Sequence, residues 1–291
     1  MKKLLSLVLA FTLVLTLAAC GSAPSESSVP SSESSAPESS SAEGSAPETE
    51  LTVLRVGASP APHAQILASV KDALAAEGID LQVQEFTDYV LPNIALEDGD
   101  LDANFFQHKP YLDDFNANND THLVSAAAIH FEPLGLYAGK SSDLDNIADG
   151  ASIAVPNDTT NEARALLLLE SLGLIKVKEG AGLAATKKDI VENPKNLVID
   201  ELEAAQLPRT LPDYDFAVIN GNYALDAGIT DSVLTTEDAQ SEAAQTFANI
   251  LAVREGDESR PEIQALVKAL TSEDSRTFIS ETYGVTVIPV F

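Results

Sequence analysis

From Leu51 onward the chain alternates short β-branched or apolar runs with stretches of helical periodicity, and that alternation limits the folds open to it. Residues 51–57 read as a strand, 63–77 as a helix stopped at Gly78, and 79–86 as a half-buried strand. A short helix at 92–97, a strand at 102–106, a helix opening at Pro110 and a strand at 122–130 follow. The rhythm resumes with strands at 151–155, 197–201, 216–220 and 250–253, and with helices at 161–172, from Tyr223, at 261–270 and at 273–283. Repeated β-α order implies an α/β fold with mainly parallel sheets flanked by helices. We expect two lobes, with the chain crossing near 131–134 and again near 223–226. The first lobe is then 51–133 plus 225–291, and the second 134–224. Ligands of open α/β sheets sit at the carboxyl ends of strands, so site residues should follow strands and face a cleft between the lobes.

Composition supports a packed core: 45% of the 291 residues are hydrophobic and 21% charged. The net charge of −28 excludes other classes, because phosphate backbones and anionic headgroups repel such a surface. Neither nucleic-acid binding nor electrostatic membrane attachment is expected. A single cysteine, Cys20, excludes an intramolecular disulfide and clustered-thiolate metal sites.

The N-terminus accounts for that cysteine. Lys2 and Lys3 precede an apolar run from Leu4 to Ala19, the order of a secretory signal peptide over residues 1–19, and the run is shorter than the ~20 residues of a membrane span. Leu17-Ala18-Ala19-Cys20-Gly21 resembles the bacterial lipoprotein signal, which implies cleavage before Cys20 and its lipidation. The alternative is a plain signal peptide with an incidental cysteine. Loss of Lys2 and Lys3 takes the charge to −28 − 2 = −30, so acyl chains, at ~0.8 kcal/mol per buried methylene, must hold the chain at a membrane. Residues 21–50 are Ser, Pro, Ala and Glu with Val29 as the one large apolar residue, a composition that reads as a disordered acidic tether.

Four segments after strands carry candidate chemistry. Asn157 to Arg164 follows the strand ending at Val155, with Thr159 and Glu162 at capping-box spacing. Arg164 falls in an early helical turn, where the macrodipole disfavours a cation and an anion completes the arrangement. That anion is either a ligand carboxylate or one of the chain's many acids. Phe105, Phe106, His108 and Tyr111 bring four ring-bearing groups into seven residues of a chain that is 5% aromatic. Phe106 and His108 share a face only if the strand persists to His108; otherwise a core Phe pair and a surface His suffice. Tyr89 adds a ring after another strand, and Asn220 and Asn222 follow a fourth, although Asn before Gly is also an ordinary turn residue.

Catalytic signatures are lacking: the sequence has no G-x-S-x-G, P-loop or H-E-x-x-H, so neither catalytic residues nor a cofactor is expected. His63, His108, His122 and His130 lack tight metal-ligand spacing, and no metal site is assigned.

Segments beginning Val56-Gly57-Ala58-Ser59-Pro60, Asp88-Tyr89-Val90-Leu91-Pro92, Leu101-Asp102-Ala103, Ala154-Val155-Pro156, Val191-Glu192-Asn193-Pro194 and Glu201-Leu202-Glu203-Ala204, with Ala217 to Ala224, occur in the order of a known family. From about Val53 to the C-terminus the chain resembles the methionine-binding lipoproteins of bacterial ABC importers, the MetQ or NlpA family. The resemblance implies a two-lobed, type II periplasmic-binding-protein-like fold that closes on methionine. It also implies delivery to a membrane permease with its ATPase, from a lipid-anchored position on the extracytoplasmic face of the cell membrane. Carried over, Arg164 holds the carboxylate, Asn220 the amino-acid head group, and Phe106, His108 and Tyr89 enclose the side chain; Asn161 and Asn222 complete the set. A binding lipoprotein for another small apolar amino acid or a methionine-containing dipeptide is the alternative. A metal-delivery lipoprotein using His63, His108 or His130, and an anchored hydrolase, are the readings from other classes.

Overall fold

The computed structural model describes residues 51–240 and 245–291; the signal peptide, Cys20 and the linker to residue 50 lie outside them. Among the described residues no helix is long and apolar enough to cross a membrane. The strands in chain order are β1 (Thr52–Ala58), β2 (Ile79–Glu85), β3 (Ala103–His108), β4 (Leu123–Phe131) and β5 (Gly135–Ala138). They continue with β6 (Ser152–Pro156), β7 (Lys176–Val177), β8 (Ile190–Glu192), β9 (Val198–Leu202) and β10 (Phe216–Ile219). β11 (Val233–Thr236), β12 (Asn249–Arg254) and β13 (Ile288–Pro289) complete them.

Two sheets dominate the α/β fold, ordered β13-β4-β12-β3-β1-β2 and β11-β5-β10-β6-β9, with β7 and β8 forming a small ribbon. Each main sheet has its own core. Leu54, Val56, Ile66, Leu67, Phe105 and Leu251 anchor the first, and Ile153, Val155, Leu166, Leu169, Phe216 and Val218 the second. The helix Thr159–Ser171 illustrates the cause: Ala163, Ala165, Leu166 and Leu169 are fully buried, so the helix is held by packing on two sides.

Two expectations are corrected. The sheets are mixed, not mainly parallel: β1 pairs in parallel with β2 and β3, but β12 runs antiparallel to both β3 and β4. The chain leaves the first sheet between Phe131 and Gly135, but the crossing placed near 223–226 comes too early. β11 still pairs with β5 in the second sheet, and the chain re-enters the first sheet at Asn249. A four-residue run, Val233-Leu234-Thr235-Thr236, carries too little periodicity to show itself as a strand.

Candidate functional site

Tyr89, Phe106, His108, Asn161, Arg164, Asn220 and Asn222 all line one cavity that draws residues from both sheets. β3 persists through His108, so Phe106 and His108 share its cavity face while Phe105 is buried on the other. Tyr111, one turn into the following helix, completes an aromatic wall. Ring centroids lie 5.8 Å apart for Tyr89 and Phe106, 5.7 Å for Tyr89 and Tyr111, and 6.2 Å for Phe106 and Tyr111. These are tilted and edge-on contacts of the kind the aromatic quadrupole favours.

Behind the wall runs a chain of directed hydrogen bonds. The Tyr111 backbone N–H donates to His108 Nδ1 at 3.1 Å, which leaves the hydrogen on Nε2 to reach Asn161 Oδ1 at 3.1 Å. Asn220 Nδ2 donates to the same Asn161 oxygen at 2.9 Å, and Asn161 Nδ2 donates to Asp158 Oδ1 at 2.9 Å. Burial, helped by the Arg164 charge, lowers the His108 pKa to about 3, so the ring is neutral and both its nitrogens are engaged. His108 therefore presents its ring, and not a hydrogen-bonding edge, to the cavity.

Asn220 ends this chain with a free acceptor. It occupies the N-cap position of the helix Gly221–Asp226, where a side-chain oxygen ordinarily accepts from the first turn, but it makes no such bond. Its Oδ1 has no hydrogen-bond partner among the described residues although the residue is 6% exposed. A buried acceptor without a donor is costly, and this one borders the cavity. Gly221 is required beside it, because a Cβ there would lie 2.9 Å from Glu132.

Arg164 is paired with one of the chain's own acids and also lines the cavity. Nε donates to Glu237 Oε1 at 2.7 Å, and Nη2 donates to Glu237 Oε2 at 2.5 Å and to the Glu132 carbonyl at 2.8 Å. Phe247 lies 4.4 Å from the guanidinium carbon. The other amino group, Nη1, makes no hydrogen bond to a described residue, and Arg164 lines the cavity. The helix cap is Asp158 rather than Thr159, its side chain accepting from Asn161 N, while Glu162 turns away to accept from Lys187 N.

Sequence reasoning missed Glu132, Gln107, Gly221 and Asn249, which also line the cavity. Glu132 directly follows β4, so the rule that site residues follow strands could have found it. Its buried carboxylate receives His130 Nε2 at 2.7 Å and lies 3.4 Å from His63 Nε2. Burial raises the Glu132 pKa against the opposing pull of His63 and Arg164. His63, His130 and Glu132 are the cluster with the ligand-atom spacing of a metal site among the described residues. A ligating imidazole normally donates its second N–H to an acceptor, and Nδ1 of His130 has none among the described residues. Exposed His122 pairs with Glu97 away from this cluster.

The family described as NlpA lipoprotein matches residues 54–291. The D-methionine-binding lipoprotein MetQ of Salmonella typhimurium is 45% identical over 216 residues, covering 72% of this chain and 78% of that protein. The solved structure of a nutrient binding protein from Burkholderia cenocepacia bound to methionine is 44% identical with a TM-score of 0.78, covering 82% of this chain and 100% of that one. An ABC transporter periplasmic substrate-binding protein from Coxiella burnetii is 42% identical with a TM-score of 0.76, covering 81% and 100% of the two chains.

Proposed function

Since the chain belongs to the NlpA lipoprotein family, we propose that it is an extracytoplasmic binding lipoprotein that captures methionine and delivers it to an ABC importer. The observation that carries this reading is one cavity with an aromatic wall that is lined by Arg164 and by Asn220, whose Oδ1 has no hydrogen-bond partner among the described residues. A zwitterionic head group needs both residues: its ammonium donates to Asn220 and its carboxylate accepts from Arg164. A charge-assisted bond of this kind contributes ~1.5–3 kcal/mol net. The unbranched thioether then lies among Tyr89, Phe106, Tyr111 and His108, gaining ~0.3–1.5 kcal/mol per sulfur-aromatic contact. Asn161 acts by orienting Asn220, and Asn222 by receiving the Tyr89 hydroxyl at 2.5 Å.

In this reading the two sheets are the cores of two lobes that close on the ligand, and the chain releases it unchanged to a permease driven by an ATPase. Cys20 carries the acyl chains that hold the protein at the outer face of the cell membrane. Mass spectrometry of ligand co-purified with the protein tests the ligand directly. Calorimetry on protein stripped by unfolding and refolding, with L-methionine, D-methionine, leucine and Zn²⁺, separates this reading from its alternatives. Absence of heat with both methionine isomers overturns it.

A further inference from the structure

Asn249 opens β12 in register with His108 on β3 and His130 on β4, at the cavity edge of the first sheet. Its Oδ1 lies 3.2 Å from His63 Nε2. An amide oxygen only accepts, so the imidazole hydrogen must sit on Nε2. Glu132 Oε1, 3.4 Å from the same nitrogen, reinforces that tautomer, and His130 Nε2 donates to the same oxygen at 2.7 Å. Phe105 closes the cluster, with ring centroids 4.7 Å from His63 and 5.3 Å from His130. Burial lowers the His63 pKa to about 4 and the His130 pKa to about 3, so both rings are neutral near pH 7. A neutral Nε2–H tautomer also explains why His130 Nδ1 lacks a partner among the described residues. A metal held at the two Nε2 atoms would instead force a buried proton onto His130 Nδ1, which has no acceptor among the described residues.

With Oδ1 tied to His63, the Asn249 amide can offer the cavity only its Nδ2 donor, which makes no hydrogen bond to a described residue. We propose that His63 is a positioning residue that locks the Asn249 carboxamide with its NH2 toward the cavity, so that this edge of the site selects a carboxylate oxygen. Together with Arg164 it makes a two-donor clamp opposite the Asn220 acceptor. The proposal rests on the methionine-binding reading and specifies which end of the ligand lies against β12.

A double-mutant cycle on the full mature chain, read by calorimetry with L- and D-methionine, tests it. His63→Leu removes the donor and should weaken binding about tenfold or more, the size of one charge-assisted hydrogen bond. His63→Gln returns an N–H near the position of Nε2 and should recover most of that loss. Asn249→Ala should cost at least as much as His63→Leu, and His63→Leu added to Asn249→Ala should cost nothing further. If His63→Leu does not fold, His63→Asn, whose shorter amide cannot reach Asn249, takes its place with the same expected result. Unchanged binding by the donor-less variant, or losses that multiply in the double variant, overturns the positioning role. Failure of the unmodified protein to bind either isomer overturns the methionine reading beneath it instead.

Discussion

Arg164 and Glu237, 73 residues apart, meet edge to edge through two hydrogen bonds of 2.7 and 2.5 Å, and Glu237 Oε2 also accepts from the backbone of Leu134 at 2.9 Å. Both segments by which the chain passes between the sheets converge on this pair: Glu132 to Leu134 lies on the outward passage, and Glu237 follows β11 at the start of the return. The arginine that faces the cavity is thus fixed by the same carboxylate that ties the two passages together.

Truncating Arg164 removes a buried ion-pair partner as well as the proposed ligand contact, and leaving a buried charge unpaired costs ~3–5 kcal/mol. Arg164→Ala should therefore lower the unfolding midpoint as well as the affinity. Arg164→Lys keeps a cation for Glu237 but has no second arm for the cavity. Its expected signature in paired calorimetry and thermal melts is a loss of methionine affinity of well over tenfold with a smaller loss of stability. Retained affinity would make Arg164 purely structural.

Glu237→Gln keeps one acceptor for Leu134 N but breaks the two-fold match to the guanidinium. Methionine affinity should fall although residue 237 touches no ligand in the proposed site, by ~1.5–3 kcal/mol if the charge-assisted bonds are what hold Arg164 in place. Isothermal titration checks this. An affinity equal to that of the unmodified protein would show that the arginine is held adequately by Phe247 and the Glu132 carbonyl.

Tyr89 follows β2 of the first sheet and Asn222 follows β10 of the second, so the hydroxyl bond between them links the two sides of the cavity. Tyr89→Phe keeps the ring of the aromatic wall and removes that link, a loss of ~0.5–1.5 kcal/mol. The expected change is a several-fold faster ligand dissociation in stopped-flow measurements with little change in association. A slower association with unchanged dissociation would argue against the link.

Three buried histidines give stability a pH dependence of known sign. His63, His108 and His130 have folded pKa values lowered to about 4, 3 and 3 by burial, whereas an unfolded histidine titrates near ~6.5. The unfolded chain therefore takes up protons first as pH falls. The contribution of these rings is full above ~6.5 and is lost progressively below it, toward about 4 for His63 and about 3 for His108 and His130. Glu162, raised to about 6 by burial, acts in the opposite direction. NMR titration should find the three rings still neutral at about pH 5, and His130→Gln should show a shallower fall in unfolding free energy than the parent. A ring that titrates near its unperturbed value would refute its assigned burial.

On the proposed lipid-anchored reading, Cys20→Ala should release the protein from membranes, since a net charge of −28 offers no electrostatic attachment. Fractionation after a carbonate wash reads the result. A variant that stays with the membrane would exclude a lipid anchor at Cys20.

How much was legible in advance depended on whether a signal was local. The strand at β3 and the helix that follows it showed in their periodicity, and seven cavity residues were found because most of them follow strands. Asn249 was hidden by the same rule. β12 runs antiparallel to β3, so its beginning lies at the edge where β3 ends, and a residue that opens a strand joins the site. Glu237 follows a strand too short to recognise, and its pairing with Arg164 spans 73 residues of sequence.

The sequence by itself determined the α/β class and the family. Local periodicity, composition and contiguous motifs carry that information without reference to neighbours in space. The tertiary structure alone decided that Arg164 spends one edge on Glu237, that Asn220 Oδ1 has no partner among the described residues, and that His63 lies against the Asn249 amide. Those facts depend on the direction of single hydrogen bonds between distant segments, and strand direction and side-chain rotamer become fixed only when both sheets are packed.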